Sequence, residues 1–309
     1  MEYIRTGHVR PDTKHQVADD DLHCLQNSEG GSMIRAIVSI AVLLSGATSL
    51  RAQAECPRSM LKVATDSYIA AQEAGDLSKM SLAPKVKYIE NMKETTKDNG
   101  LWNSPLPIAF HRSIFDVGRC KTFTEVIVTE GGHPYVIGTR LKVKEGKVSE
   151  IESLVTDQDD WLFNAQDYLK YSKAEDWSVL PVDDRVSRQD LIDAGNQYFD
   201  FVFMDKGIRP PWGAPCARLE GGAYTNPNNE SKDTCQIPAP LGDLFIVNRT
   251  YVVDEELGAV NVFCRFGNST GMPDSHTFRL VNGRYRWVHT LSVNLTGKPI
   301  VIPDFQPEK

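Results

Sequence analysis

The chain has no apolar run of the roughly 18 residues needed to span a bilayer, so stable membrane insertion is not expected. Positive charge is not in excess. Lys and Arg number 34 against 41 Asp and Glu, a formal charge of −7, which argues against nucleic acid as the main partner. Charged residues make up 24% and hydrophobic residues 41% of the 309 residues, which excludes wholesale disorder and leaves ample material for a core. The phosphate-binding glycine loop, the dinucleotide glycine fingerprint, the G-x-S-x-G elbow and the H-E-x-x-H helix are all missing. Phosphoryl transfer, hydride transfer and zinc hydrolysis therefore lack support. None of the six cysteines falls in a zinc spacing. No metal and no cofactor is expected, and any catalysis should be acid–base.

From Met33 the chain reads MIRAIVSIAVLLSGATSLRAQAEC. A basic start at Arg35, a short apolar stretch and Ala52-Gln53-Ala54 have the order of a secretory signal. Residues 33–54 are expected to be that signal, and residues 1–32 an extension with no part in the fold. Past the signal, Cys56, Cys120, Cys216, Cys235 and Cys264 remain. An odd count in a secreted protein implies two bridges and one spare thiol. Cys216 with Cys235 would close a short loop, and Cys56 with Cys120 would tie a first helix to a strand. Cys264 shares a strand face with Val260 and Val262 and reads as a buried apolar residue. Sequons at Asn229, Asn248, Asn268 and Asn294 agree with a secretory lumen or secreted location.

The chain contains an internal repeat at a spacing of about 130–140 residues, an early thing to seek in any sequence. Leu61, Ala64 and Tyr68 recur as Leu191, Ala194 and Tyr198, each set on one helical face. Ser187 with Asp190 resembles a helix start. A short strand ending in Glu90 matches one ending in Glu220. Arg112-Ser113-Ile114 and Arg249-Thr250-Tyr251 each open a β-rich stretch. Hairpins turn on Glu145-Gly146 and on Asn282-Gly283, the second a strong hairpin signal. Helices ahead of antiparallel strands predict an α+β fold, duplicated in tandem. The units are residues 55–160 and 187–296, with an aromatic connector at 161–186 expected to pack on a domain and an extended tail at 297–309.

This order, with an acid ending the short strand, resembles the SnoaL-like, ketosteroid-isomerase-like superfamily of nuclear-transport-factor-2-like cones. The segments WGAPCARLEGGAY (Trp212–Tyr224) and PDSHTFR (Pro273–Arg279) are similar to a family of secreted fungal proteins carrying two such domains. The resemblance spans roughly residues 55–295. It extends to the secreted cyclases of fungal maleidride pathways. It implies a sheet curled around an apolar pocket, a small apolar carbonyl metabolite as ligand, and an acid in the general-base position of an isomerase or cyclase. It also implies that the two cones pair within the chain, so that the protein is a monomer.

The acid in that position is Glu220, or Glu90 in the first repeat. A carboxylate against apolar walls gains basicity and can take a proton from carbon next to a carbonyl. Against this, Glu220 could pair with Arg218 or bind the Gly221-Gly222 turn, and Lys85 and Lys87 suggest a solvated end for Glu90. Simple alternation places His289 on one face with Tyr285, Trp287 and Leu291, where it could donate to an oxyanion or be a core histidine. Glu220 as base, His289 as donor and Arg218 as anion clamp form the expected catalytic set. Tyr285 and Trp287 would line the pocket. Arg112 could bind a substrate carboxylate or pair with Asp116, and its apparent counterpart Arg249 favours a structural pair. Asp274 could orient His276, or both could shape a turn. The alternative to an enzyme is a secreted binding protein or host-interaction factor that leaves its ligand unchanged.

Overall fold

The computed structural model describes residues 56–204, 207–237 and 244–296. The expected extension, signal and tail lie outside them. The first repeat runs α1 (Arg58–Ala74), β1 (Leu82–Glu90), β2 (Lys93–Thr95), β3 (Ile108–Asp116), β4 (Lys121–Val128), β5 (Tyr135–Lys144) and β6 (Lys147–Thr156). The connector holds α2 (Ala165–Ala174). The second repeat runs α3 (Arg188–Val202), β7 (Ala217–Glu220), β8 (Ala223–Tyr224), β9 (Ile246–Asp254), β10 (Ala259–Phe266), β11 (Met272–Val281) and β12 (Arg284–Ser292). The sheets have orders β2-β1-β6-β5-β4-β3 and β8-β7-β12-β11-β10-β9. Among the described residues, only β1 with β6 and β7 with β12 pair in parallel. The fold is α+β, duplicated in tandem.

Local signals explain the elements. Ser187 and Asp190 close a reciprocal capping box at the start of α3. α1 stops at Gly75, whose left-handed backbone lets Gly75 and Asp76 N–H bond the last carbonyls. Leu61, Ala64 and Tyr68 are buried under the first sheet, and Leu191, Ala194 and Tyr198 under the second. Both hairpin turns have positive φ at both central residues, the twist-matched geometry. Disulfides join Cys56 to Cys120 and Cys216 to Cys235. Cys264 is free and buried with Val260 and Val262.

Strand register gives residue-by-residue equivalence between the repeats, down to the same bulge in the last hairpin. That bulge corrects one expectation. The extra residue, Arg286, puts Tyr285 on the helix-covered face, where its hydroxyl donates to Ala194 O at 2.6 Å. Trp287 and His289 turn to the other face. Register also corrects the pairing of Arg112 with Arg249. Asp116 faces Lys121 and Asp254 faces Ala259, so Arg112 corresponds to Thr250. A one-residue offset swaps faces. Arg249 binds Asp200 and Asn196 of α3, while Arg112 turns away from its own helix.

Each sheet has one face under its own helix and one face against the other repeat. The second kind of face forms shared clusters: Ile114, Phe123 and Leu154 with Val252, Leu257 and Phe263, and Ile127 and Val136 with Leu219 and Leu291. Gly138 makes room there, since a Cβ would meet Phe123 at 2.8 Å and Leu291 at 3.3 Å. Buried Arg140 crosses to bond Asn261 and Thr250 and stacks 3.8 Å over Phe263. Burial draws its pKa down to about 10.

Two ion pairs cross this interface in a reciprocal way. Arg58, opening α1, grips Asp254 at the end of β9 with two bonds of 2.8 Å. Arg188, opening α3, grips Asp116 at the end of β3 with two of 2.7 Å. Each aspartate also accepts from the other repeat's backbone: Phe115 N–H to Asp254 and Val253 N–H to Asp116. Asp116 and Asp254 are equivalent by register, so the contacts obey a pseudo-two-fold. Both are buried. Removing a partner strands a charge and an N–H, at about 3 kcal/mol. Asp116→Ala and Asp254→Ala should therefore lower unfolding stability by similar amounts in urea titrations, each by about that figure.

Candidate functional site

His289 lies in the interface between the repeats. Its Nδ1 is 3.0 Å from Glu125 Oε2 on β4, and its Nε2 is 2.7 Å from Glu175 Oε2 in the connector. Tyr168 donates to Glu125, and Trp177 and Tyr224 donate to Glu175. Arg112 Nη1 stands 3.7 Å from Glu125 and 3.6 Å from Glu175. Two carboxylates, an imidazolium and a guanidinium balance to zero net charge. Burial opposes the charge on His289, but the two glutamates outweigh it and raise its pKa to about 9. Burial also opposes the charge on Glu125. His289 and Arg112 overcome it and hold its pKa below the ordinary carboxylate value. Arg112 thus pairs with Glu125 and Glu175, not with Asp116. Trp287 stacks on Trp177 at 5.9 Å. This cluster ties both sheets to the connector.

Glu220 is on the other face of the second sheet, and the structure does not bring it to His289. Its Oε1 accepts from Arg218 Nε at 2.9 Å, and Arg218 Nη1 donates to Cys235 O. Burial works against the charge on Arg218, but Tyr198 and Glu220 more than compensate and its pKa is raised. The guanidinium is already matched by a carboxylate. Gly221 and Gly222, both at positive φ, let the connector close on this strand end; Asn164 N–H donates to Gly221 O at 2.7 Å. Glu90, the first-repeat equivalent, accepts from Leu101 N–H at 2.7 Å. It borders a cleft of about 660 Å³ with Asp157, Asp159 and Asp160.

The helix-covered face of the second repeat carries a further constellation. His276 and Asp274 lie within β11, where strand pairing replaces the turn that was an option from sequence. His276 Nδ1 is 2.5 Å from Asp274 Oδ1. Ser292 Oγ donates to Asp274 Oδ2 at 2.5 Å, and Cys264 Sγ lies 3.7 Å from Oδ1. The imidazole is enclosed by Tyr198, Phe199, Phe203, Phe266 and Phe278, with ring centroids 4.9–6.5 Å away. A carboxylate accepts at Nδ1, so Nδ1 carries a proton, and in the neutral imidazole Nε2 presents its lone pair. Burial raises the pKa of Tyr198, although Arg218 pulls the other way, and keeps the phenol a donor. Burial, then Asp274, raise that of Cys264 and keep it a thiol.

Comparison of the repeats separates structure from function. In the first, Tyr68 OH, Thr139 Oγ1 and Ser153 Oγ bond in a chain at 2.7 and 2.8 Å. Register makes His276 and Thr290 the equivalents of Thr139 and Ser153, and the repeated helix stripe makes Tyr198 that of Tyr68. Among the described residues, Thr290 Oγ1 is buried without a partner. Tyr198 OH and His276 Nε2 have none either. The first repeat satisfies the three hydroxyls of this chain, although Thr65 and Thr122 Oγ1 elsewhere in it are buried without a partner. The second leaves a donor, a base and a hydroxyl without a protein partner beneath aromatic rings, where an unmatched polar group is costly unless water or a ligand serves it. His276 was visible in the sequence as an Asp-x-His pair; the helix face that completes the set was not. Among the described residues no group of three His, Cys, Asp or Glu is placed to hold a metal ion.

A family model described as a domain of unknown function (DUF8021) matches residues 184–292, the second repeat with all these groups. No curated protein matches the chain. Among solved structures, an NTF-2-like protein of unknown function from Burkholderia xenovorans LB400 is 17% identical, with a TM-score of 0.26, over 32% of this chain and 85% of that one. AclR, a provisionally assigned hydroxylase from Streptomyces galilaeus, is 15% identical, with a TM-score of 0.26, over 32% and 81%. A provisionally assigned ketosteroid isomerase from Kribbella flavida DSM 17836 is 16% identical, with a TM-score of 0.25, over 32% and 80%.

The interface cluster makes stability depend on pH. The folded pKa of His289, about 9, lies above its ordinary 6.5. Its contribution is therefore fully present below about pH 6.5 and is lost as pH rises through 9. That of Glu125, with a depressed pKa, is present above its ordinary 4.5 and fades as pH falls through its folded value. Thermal unfolding should show Tm falling between pH 6.5 and 9. His289→Gln should flatten that slope and lower Tm throughout, at about 3 kcal/mol.

Proposed function

We propose that the second repeat is a cofactor-free acid–base site of the isomerase or cyclase type for a small, apolar, carbonyl-bearing metabolite. The observation that carries this reading is His276, its Nδ1 on Asp274 and its Nε2 unmatched, beside the unpartnered hydroxyls of Tyr198 and Thr290. His276 Nε2 takes a proton from carbon next to the carbonyl. Tyr198 donates a hydrogen bond to the oxygen as negative charge develops on it. The protonated imidazole then returns the proton to another carbon, or the enolate carbon attacks a second carbonyl, closes a ring, and the imidazolium gives its proton to the resulting alkoxide. Glu220, the base suggested by sequence position, acts as counter-ion to Arg218. Arg218, so matched, is not an anion clamp, which suits an uncharged ligand.

The resemblance to fungal maleidride cyclases makes anhydride-bearing polyketide compounds of fungal secondary metabolism the first substrates to try. The two disulfides, with Asn229, Asn248 and Asn268 exposed and Asn294 half-buried, support passage through an oxidising secretory compartment and glycosylation there. The interface that cone domains use to pair is filled within the chain, so light scattering on purified protein should give the mass of a monomer. A stable dimer would contradict this.

The functional test is mass spectrometry of a fungal metabolite extract incubated with secreted protein. His276→Gln should lower product formation at least about 100-fold while the fold survives. Full activity in that variant would refute the assignment. Loss confined to Glu220→Gln would move the base to Glu220. A compound that co-purifies unchanged with wild type and both variants would make the protein a binding module, since the same unmatched groups can hold a ligand without turnover.

A further inference from the structure

The surroundings of Asp274 differ between the repeats as a unit. By register, Asp274, Cys264 and Ser292 correspond to Ile137, Val126 and Val155, and His276 corresponds to Thr139. Where the carboxylate is absent, both of its auxiliary donors are apolar. Where it is present, a hydroxyl and a thiol point at it. Ser292 Oγ holds Oδ2 at 2.5 Å while Oδ1 faces His276 Nδ1. Ser292 is buried, and Asp274 is its partner among the described residues.

We propose that Ser292 is a positioning residue that keeps the Asp274 carboxylate charged and oriented, and thereby keeps the His276 proton on Nδ1 and the lone pair on Nε2. The inference rests on the acid–base reading of His276 and adds the group that sets its tautomer. The physical cause is donor supply. A hydrogen bond to the charged form of a carboxylate favours that form. Without Ser292, buried Oδ2 has no donor, and the carboxyl becomes easier to protonate. A protonated Asp274 can donate to Nδ1, which moves the imidazole proton to Nε2 and removes the base. The other titratable or charged groups around this pair are Cys264 on β10, Tyr198 on α3, Arg218 and Glu220 on β7, and Arg249 on β9 and Arg140 on β5, which act on Cys264.

The test uses the full chain with 15N-labelled histidine, with the His276 signals assigned through His276→Gln. Val155 occupies the equivalent position in the first repeat, so Ser292→Val and Ser292→Thr form an isosteric pair that differs only in the hydroxyl. Wherever the imidazole is neutral, wild type and Ser292→Thr should show the Nδ1–H tautomer of His276. Ser292→Val should show a larger Nε2–H share of the neutral imidazole, and its product yield in the extract assay should fall in parallel. Should Ser292→Val fail to fold, Ser292→Cys supplies a weaker donor and should show an intermediate tautomer ratio. An identical tautomer in the Ser292→Thr variant and the hydroxyl-free or thiol variant overturns the proposal, even if His276 proves essential for turnover. A tautomer that follows the hydroxyl in a protein with no turnover leaves the positioning role standing and defeats the acid–base reading instead.

Discussion

Two buried aspartates at the ends of equivalent strands hold the molecule together. Asp116 receives the guanidinium that opens the second repeat's helix, and Asp254 receives the one that opens the first. Each also takes a backbone N–H from the opposite repeat. A buried carboxylate needs such partners, and here the guanidinium and a backbone N–H for each come from the other half, with Leu257 N–H of its own half adding to Asp254. Neither half is complete without its copy. The sheet faces that a lone cone would expose are sealed by Phe123, Phe263, Ile127 and Leu291.

That exchange leaves the two helix-covered faces free to diverge. One backbone, with one register and one bulge, supports a closed hydroxyl chain in the first repeat and an unmatched His–Tyr–Thr set in the second. The first face joins its equivalent hydroxyls to one another. The second carries a carboxylate, an imidazole, a thiol and an ion pair under a shell of aromatic rings. The polar content moved to one repeat, while the apolar frame is common to both. A tandem fold tolerates this because the interface, rather than either helix-covered face, ties the halves together.

Charge is handled differently in the two places. In the interface, His289 is saturated by Glu125 and Glu175, with Arg112 completing neutrality. Both ring nitrogens are engaged, and the group serves cohesion. At the helix-covered face, His276 uses one nitrogen and keeps the other open. The same residue type is structural in one setting and chemically available in the other. The difference is the number of acceptors within reach.

Much of the fold was legible from sequence because it depends on local chemistry. The Leu-Ala-Tyr stripe of α1 and α3, the Ser187–Asp190 box, the Asn282-Gly283 turn and the two cysteine pairs are set by periodicity, capping, backbone preference and chain closure. The Asp274–His276 spacing was visible as well, but its face was not. Tertiary structure decided the rest. A bulge at Arg286 parted Tyr285 from Trp287 and His289. A register offset sent Arg112 and Arg249 to opposite faces. His289 found its carboxylates 164 and 114 residues away. Glu220 stayed with Arg218, two residues off. Periodicity says that two residues share a strand face only while the ladder is regular. Which partners wait across that face is a matter of long-range packing, which no local pattern encodes.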